Sequence, residues 1–163
     1  MNKAEIRKEI LKRLKTQDSR LKRKKDRIIK EKLLSRPEFK KAKAIAFYIS
    51  FKSEVDTKAL IDEALKAGKR VVVPVVVGDD LRLSEIGAHF KPFPKEDVNL
   101  VIVPGVAFGR DGSRLGRGKG FYDRFLKNLP RGIKRIGLAY DLQIIEGLPA
   151  TPHDSPVDMV LTN

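Results

Sequence analysis

The sequence predicts an α/β fold: a single domain with a mixed, mostly parallel sheet, helices on both faces, and basic N-terminal helices packed on it. Three observations lead there. Four runs of strand length (Ala44–Ile49, Arg70–Val77, Asn99–Pro104 and Lys134–Tyr140) are apolar almost continuously, the pattern of strands buried on both faces. A helical stretch, Asp56–Ala67, separates the first two, so the unit reads strand, helix, strand. The chain has 163 residues, 41% of them hydrophobic, which fits one domain with a real core.

Taken in order, Ile6, Ile10, Leu11 and Leu14 share one helical face at the N-terminus. Asp18 or Ser19 caps a second helix, whose apolar stripe is Leu21, Ile28, Ile29 and Leu33. Pro37 closes that helix or opens a short one. Both stripes are narrow, so residues 1–43 are expected to pack on the rest and not to form a domain of their own. Asp56 caps the helix that Gly68 stops. Pro74, inside Arg70–Val77, suggests an edge strand or a bulge, because proline gives a ladder no N–H. Asp79-Asp80 is a turn, Leu81–Ile86 a candidate strand, and residues 87–97, with Pro92 and Pro94, a loop. Phe121–Leu129 reads as a helix and Val157–Leu161 as a last short strand.

Composition narrows the function classes. There is no cysteine, which excludes disulfides, thiol catalysis and the usual zinc ligand sets. No stretch approaches the roughly 20 apolar residues of a membrane span. The charged N-terminus has no apolar h-region, so a cytoplasmic protein is expected. The formal net charge of +14 is uneven: residues 1–43 carry 18 Lys and Arg against 6 Asp and Glu, and residues 44–163 carry 17 against 15. Such an asymmetry concentrates polyanions without choosing among RNA, ATP and a polyglutamate tail, and it is also the composition of a heat-adapted surface.

The chemistry points to Gly105–Asp123. Its glycines let backbone N–H groups approach an anion, and Arg114, Arg117 and Lys119 supply full charges. It lies between a buried strand and a helix. The spacing is that of neither a P-loop nor a dinucleotide fingerprint: Ser113 stands at the first P-loop glycine, and Gly120 replaces the hydroxyl residue. Two readings remain, a phosphate cradle and an Arg-Gly loop that touches RNA; the lack of tryptophan and the three tyrosines weigh against the second. Asp123 stands one helical turn beyond the cradle, where a phosphate-bound Mg²⁺ would lie, with Asp158 or Asp154 as a second carboxylate. Glu54 follows the first strand at the expected ligand edge, and His153 is one of two histidines.

The segment Val103–Asp123 closely resembles the signature of the 5-formyltetrahydrofolate cyclo-ligase (5,10-methenyltetrahydrofolate synthetase) family. The resemblance extends to Lys3-x-x-x-Arg7, to Ile49-Ser-Phe-Lys-Ser-Glu54, to Gly137–Gln143, and to Leu148-Pro149, His153-Asp154 and Val157-Asp158. It implies ATP-dependent conversion of 5-formyltetrahydrofolate to 5,10-methenyltetrahydrofolate. By resemblance, ATP meets Lys3, Ala4, Glu5, Ile6, Arg7, Arg114, Leu115, Gly116, Arg117, Gly118, Lys119, Gly120, Phe121 and Tyr122. Folate meets Ile49, Glu54, Arg117, Gly118, Lys119, Gly120 and Phe121, and Mg²⁺ meets Asp123 and Asp158. Arg117, Lys119 and Glu54 take the catalytic parts. The expected partners are small molecules (ATP and 5-formyltetrahydrofolate, polyglutamylated or not), with no membrane or nucleic acid, and the chain is expected to act as a monomer. Two departures stand out: Val75 follows Pro74 where many members carry a basic residue, and residues 87–99 hold neither the Trp nor the Gly-Ile-x-Glu-Pro-like stretch common there.

Overall fold

A computed structural model describes all 163 residues. Two long helices come first, α1 (Lys3–Lys15) and α2 (Ser19–Ser35). Asn2 starts α1 through a capping box with Glu5, and Asp18, not Ser19, starts α2 by accepting from the Leu21 N–H at 3.0 Å. The buried row of α2 is Lys25, Ile29 and Leu33, while Leu21 is exposed. Lys25 can occupy that row because its stem packs inward and its ammonium meets Asp141 Oδ1 at 2.7 Å. Pro37 opens the short α3 (Pro37–Lys41).

The sheet follows: β1 (Ala44–Ala46), α4 (Lys58–Lys66), β2 (Arg70–Val77), β3 (Asp80–Glu85) and β4 (Leu100–Val103), then β5 (Ala107–Phe108), β6 (Arg114–Leu115), α5 (Phe121–Lys127), β7 (Lys134–Ala139) and β8 (Met159–Thr162). The main sheet has the order β3-β2-β1-β4-β7-β8, and every neighbouring pair is parallel except β2 with β3. Strand residues alternate between two cores. Ile45, Leu100, Ile102, Ile136 and Leu138 join α1, α2 and α4 on one side. Ala46, Val72, Val101, Val103 and Ala139 join Phe125 and Leu126 of α5 on the other. Burial on both faces is why these strands carry no polar alternation.

Pro74 does not mark an edge, since β2 pairs with β1 on one side and β3 on the other. Phe47 N donates to Val72 O at 2.9 Å, and the next parallel bond would come from residue 74, which has no N–H. The ladder therefore stops there, and β1 is shorter than its apolar run, with Phe47 and Tyr48 buried beyond it. The β5–β6 hairpin and two single-turn 3-10 helices, Lys95–Asp97 and Asp141–Gln143, are what the pattern misses, because elements of two or three residues carry no period. The last strand begins two residues later than expected, and α5 ends at Lys127.

Strand order reverses direction at β1 and β4. The chain leaves β1 through α4 toward β2, and leaves β4 through α5 toward β7. The loops after these two strands diverge and leave a crevice at their C-terminal ends, where open α/β sheets bind ligands.

Candidate active site

The loop after β4 runs through the β5–β6 hairpin to the exposed residues Arg117, Gly118 and Lys119. One of its three cations differs from the other two in burial. Arg114 is buried, with its side chain 3% exposed. It donates to Pro104 O at 3.0 Å and to Asp123 Oδ1 at 2.9 Å, and so ties the end of β4 to the first turn of α5. Arg117 and Lys119 engage no protein acceptor with their side chains. The sequence placed all three on phosphate; burial separates Arg114 from the other two. Gly120 turns the chain into α5 at φ 72°, a left-handed conformation, and a Cβ there would stand 2.9 Å from Arg124 Nη1. Arg124 also donates to Lys119 O and to Asp79 O in the β2–β3 turn, at 3.2 and 3.0 Å.

The N-terminal helix joins this loop. Arg7 Nε donates to Gly116 O at 2.8 Å, and Lys3 Nζ meets Asp154 Oδ2 at 2.5 Å. Residues 109 or more apart in sequence thus share one site. Burial works against ionisation of Asp154, but the Lys3 ammonium and the Thr151 N–H outweigh it and hold the carboxyl below the usual carboxylate range. Ala4 is exposed beside them, whereas Ile6 belongs to the core and Glu5 closes the helix cap. His153 is exposed.

Across the crevice, the loop after β1 folds back on itself. Glu54 Oε1 accepts from Phe51 N at 2.8 Å. Burial pushes the Glu54 carboxyl above its ordinary value, against the opposing pull of that N–H and of Arg117. The Arg117 guanidinium lies 5.3 Å from the centre of the Phe51 ring, so the two loops touch. Ile49 and Phe51 are exposed, 51% and 65%, at the crevice mouth. Tyr122 closes the floor, where burial raises its hydroxyl well above the usual value.

Asp123 presents a carboxylate with one free oxygen. Its Oδ1 accepts from Arg114 and from the Ser155 N–H, each at 2.9 Å, and its Oδ2 has no protein partner. That fits a Mg²⁺ ion carried in by phosphates, which needs few protein ligands. No group of three or more acidic or histidine side chains forms a cage of its own. Asp158 shares no hydrogen-bond partner with Asp123. It sits before β8, where its Oδ2 caps the start of β7 by accepting from Arg135 N at 2.8 Å. Arg135 pairs with Val101, early in β4, whereas Asp123 is linked through Arg114 to Pro104, just past the other end of that strand.

A cavity of about 370 Å³ opens beside the loop, between β3, residues 90–95 and α5. Leu81, Leu83, Phe90, Phe93 and Phe125 wall it, with Arg82, Lys95 and Arg124 among its polar lining. Sequence reasoning did not find it. The available signal was Phe90 and Phe93, two aromatic residues in one short loop, the first of them 50% exposed.

Comparison with known proteins bears on this arrangement. The model of the 5-formyltetrahydrofolate cyclo-ligase family matches residues 1–92 and 90–163. The 5-formyltetrahydrofolate cyclo-ligase of Escherichia coli K12 is 33% identical over 152 residues, covering 80% of this chain and 84% of that protein. The mitochondrial one of Arabidopsis thaliana is 34% identical over 201 residues, covering 96% of this chain and 72% of that protein. Among solved structures, the 5,10-methenyltetrahydrofolate synthetase of Mycoplasma pneumoniae superposes with a TM-score of 0.89 at 30% identity, over 99% of this chain and 98% of the other. That of Aquifex aeolicus does so with a TM-score of 0.84 at 38% identity, over 99% and 90%.

Proposed function

The chain belongs to the 5-formyltetrahydrofolate cyclo-ligase family, and we propose that it uses ATP to close 5-formyltetrahydrofolate into 5,10-methenyltetrahydrofolate, releasing ADP and phosphate. One observation carries the reading for this chain's own residues. An exposed cationic loop, Arg117–Lys119, faces the Glu54 turn across the crevice where the strand order reverses. Phosphate and folate can therefore meet over one loop. Mixing the protein with MgATP and 5-formyltetrahydrofolate should produce the absorbance of the methenyl product with one phosphate released per turnover; no product at any ATP concentration would overturn the assignment.

The formyl oxygen is a poor leaving group. Its attack on the γ-phosphorus forms the O–P bond as the bond to ADP breaks. The second folate nitrogen then attacks the formyl carbon, and the oxygen departs as phosphate while that nitrogen loses its proton. Such a reaction asks the protein for positioning and charge stabilisation and not for a nucleophile of its own. Lys119 and Arg117 stabilise charge on the transferring phosphoryl group, the first as a point charge and the second through a planar fork. Arg7 steadies the loop through Gly116, and Lys3 closes the same side. Glu54 orients the formyl-bearing ring by hydrogen bonding.

Mg²⁺, when bound with ATP, neutralises phosphate charge, and Asp123 is the residue assigned to hold it. Asp123→Asn should raise the Mg²⁺ concentration needed for half-maximal rate several-fold, while Asp158→Asn should leave it unchanged. Equal shifts in both titrations would return Asp158 to the metal. The apolar cavity is assigned to the flat part of the folate, since its aromatic wall suits a ring and its cations suit carboxylates. Phe90→Ala should raise KM for 5-formyltetrahydrofolate about tenfold, the cost of about 1.4 kcal/mol of lost packing, with KM for ATP unchanged. An unchanged folate KM would remove the cavity from the site. We assign the activity to a monomer in the cytoplasm; light scattering that shows an obligate dimer would contradict the first part. No helix is long and apolar enough to cross a membrane.

A further inference from the structure

Glu54 is placed by the backbone of its own turn, and that turn is held from a distant helix. Two backbone groups of that turn are hydrogen-bonded and a third faces a hydroxyl. The Glu54 carbonyl lies 3.1 Å from the Tyr140 hydroxyl, the Val55 carbonyl accepts from the Tyr48 hydroxyl at 3.2 Å, and the Asp56 N–H donates to Asp26 Oδ1 at 3.1 Å. Asp26 belongs to α2, 30 residues away from Asp56. The same Oδ1 accepts from the Tyr140 hydroxyl at 2.5 Å, across 114 residues of sequence. One carboxylate oxygen thus holds both the tyrosine that faces the Glu54 carbonyl and the backbone two residues further on.

The surroundings suit this arrangement. Tyr140 is fully buried, and Asp26 is 15% exposed. Lys22 pairs with Asp26 Oδ2 at 2.9 Å, and the Lys22 and Lys25 ammoniums stand 5.7 and 5.9 Å from the Tyr140 ring centre. The charge of Asp26 is therefore balanced, and the hydroxyl has little freedom to choose another partner. Tyr140 is fully buried and cannot itself touch a ligand, so its hydrogen bond with Asp26 reaches the site through the turn.

We propose that Asp26 is a positioning residue for folate, acting through Tyr140 and the Asp56 N–H to set where the Glu54 carboxylate stands. The proposal rests on the reading that Glu54 meets folate. It makes the basic N-terminal segment part of the substrate site through one acid of α2, beside the contacts of Lys3 and Arg7 with the loop.

The test compares three variants with the parent enzyme in steady-state assays that vary each substrate. Tyr140→Phe deletes one hydroxyl inside a packed ring site and should raise KM for 5-formyltetrahydrofolate about fivefold, with KM for ATP within twofold. Asp26→Ala should raise the folate KM about tenfold. Asp26→Asn should recover most of the loss, because its amide oxygen still accepts from both donors. Hydrogen exchange should show residues 51–57 less protected in Asp26→Ala than in Asp26→Asn. Equal rises in both KM values, or no rescue by asparagine, would reduce Asp26 to general stability and overturn the proposal. Glu54→Gln separates the two layers. If it leaves folate kinetics unchanged, the role of Glu54 fails; if it alters them while Asp26→Ala and Tyr140→Phe do not, only the positioning role fails.

Discussion

Lys119→Ala is expected to lower turnover at least about a hundredfold, a loss of about 2.7 kcal/mol of transition-state stabilisation, with the fold intact. The side chain is exposed and holds nothing within the protein, so its removal should shift stability by no more than about 0.5 kcal/mol. That separation makes the variant informative. Thermal denaturation should superpose on that of the parent, while the rate of methenyltetrahydrofolate formation collapses. The effect should fall on turnover more than on KM for ATP, because the ammonium is asked to meet charge that moves during phosphoryl transfer. Lys119→Arg should restore only part of the rate, since a planar fork does not reproduce a compact point charge. Near-normal turnover in Lys119→Ala would end the assignment of this loop to the transferring phosphate.

Arg114→Leu is expected to act in the opposite manner, through the fold first. The Arg114 guanidinium is buried between Pro104 O and Asp123, and its removal leaves the Asp123 carboxylate without its counter-charge. Breaking one side of a buried pair costs about 3 kcal/mol, which for a chain of this size lowers Tm by roughly 6–12 °C. Scanning calorimetry or circular dichroism reads the shift directly. Asp123→Asn on top of Arg114→Leu should recover part of it, because the uncompensated charge is then gone. An unchanged Tm in the single variant would mean that the pair is not what ties the end of β4 to α5. Together the two variants divide a short cationic run into one residue that holds the loop and one that uses it.

The central strands were legible because they are buried on both faces, and continuous apolar runs such as Leu100–Val103 encode that state locally. Even the stop at Gly68 and the cap at Asp18 follow from backbone chemistry within a few residues. The glycine-rich loop was legible for the same reason: it is one contiguous segment. Its resemblance to a known signature supplied the family, which the full-length matches then bore out. The hairpin at Ala107–Leu115 was not legible, since two residues give no period to read.

What the sequence determined by itself, then, was the fold class, the place of the loop after a buried strand, and the family. The tertiary structure alone decided which cation is buried and which are exposed. Arg114, Arg117 and Lys119 are alike in one dimension, and only the packing of β6 against β5 and α5 takes the first out of water. It likewise decided that Asp158 caps β7, that β3 and α5 enclose a cavity, and that Asp26 reaches the Glu54 turn. A backbone conformation is written in its neighbours along the chain. The task of a charged side chain depends on which distant groups desolvate it and which remain free to meet a ligand.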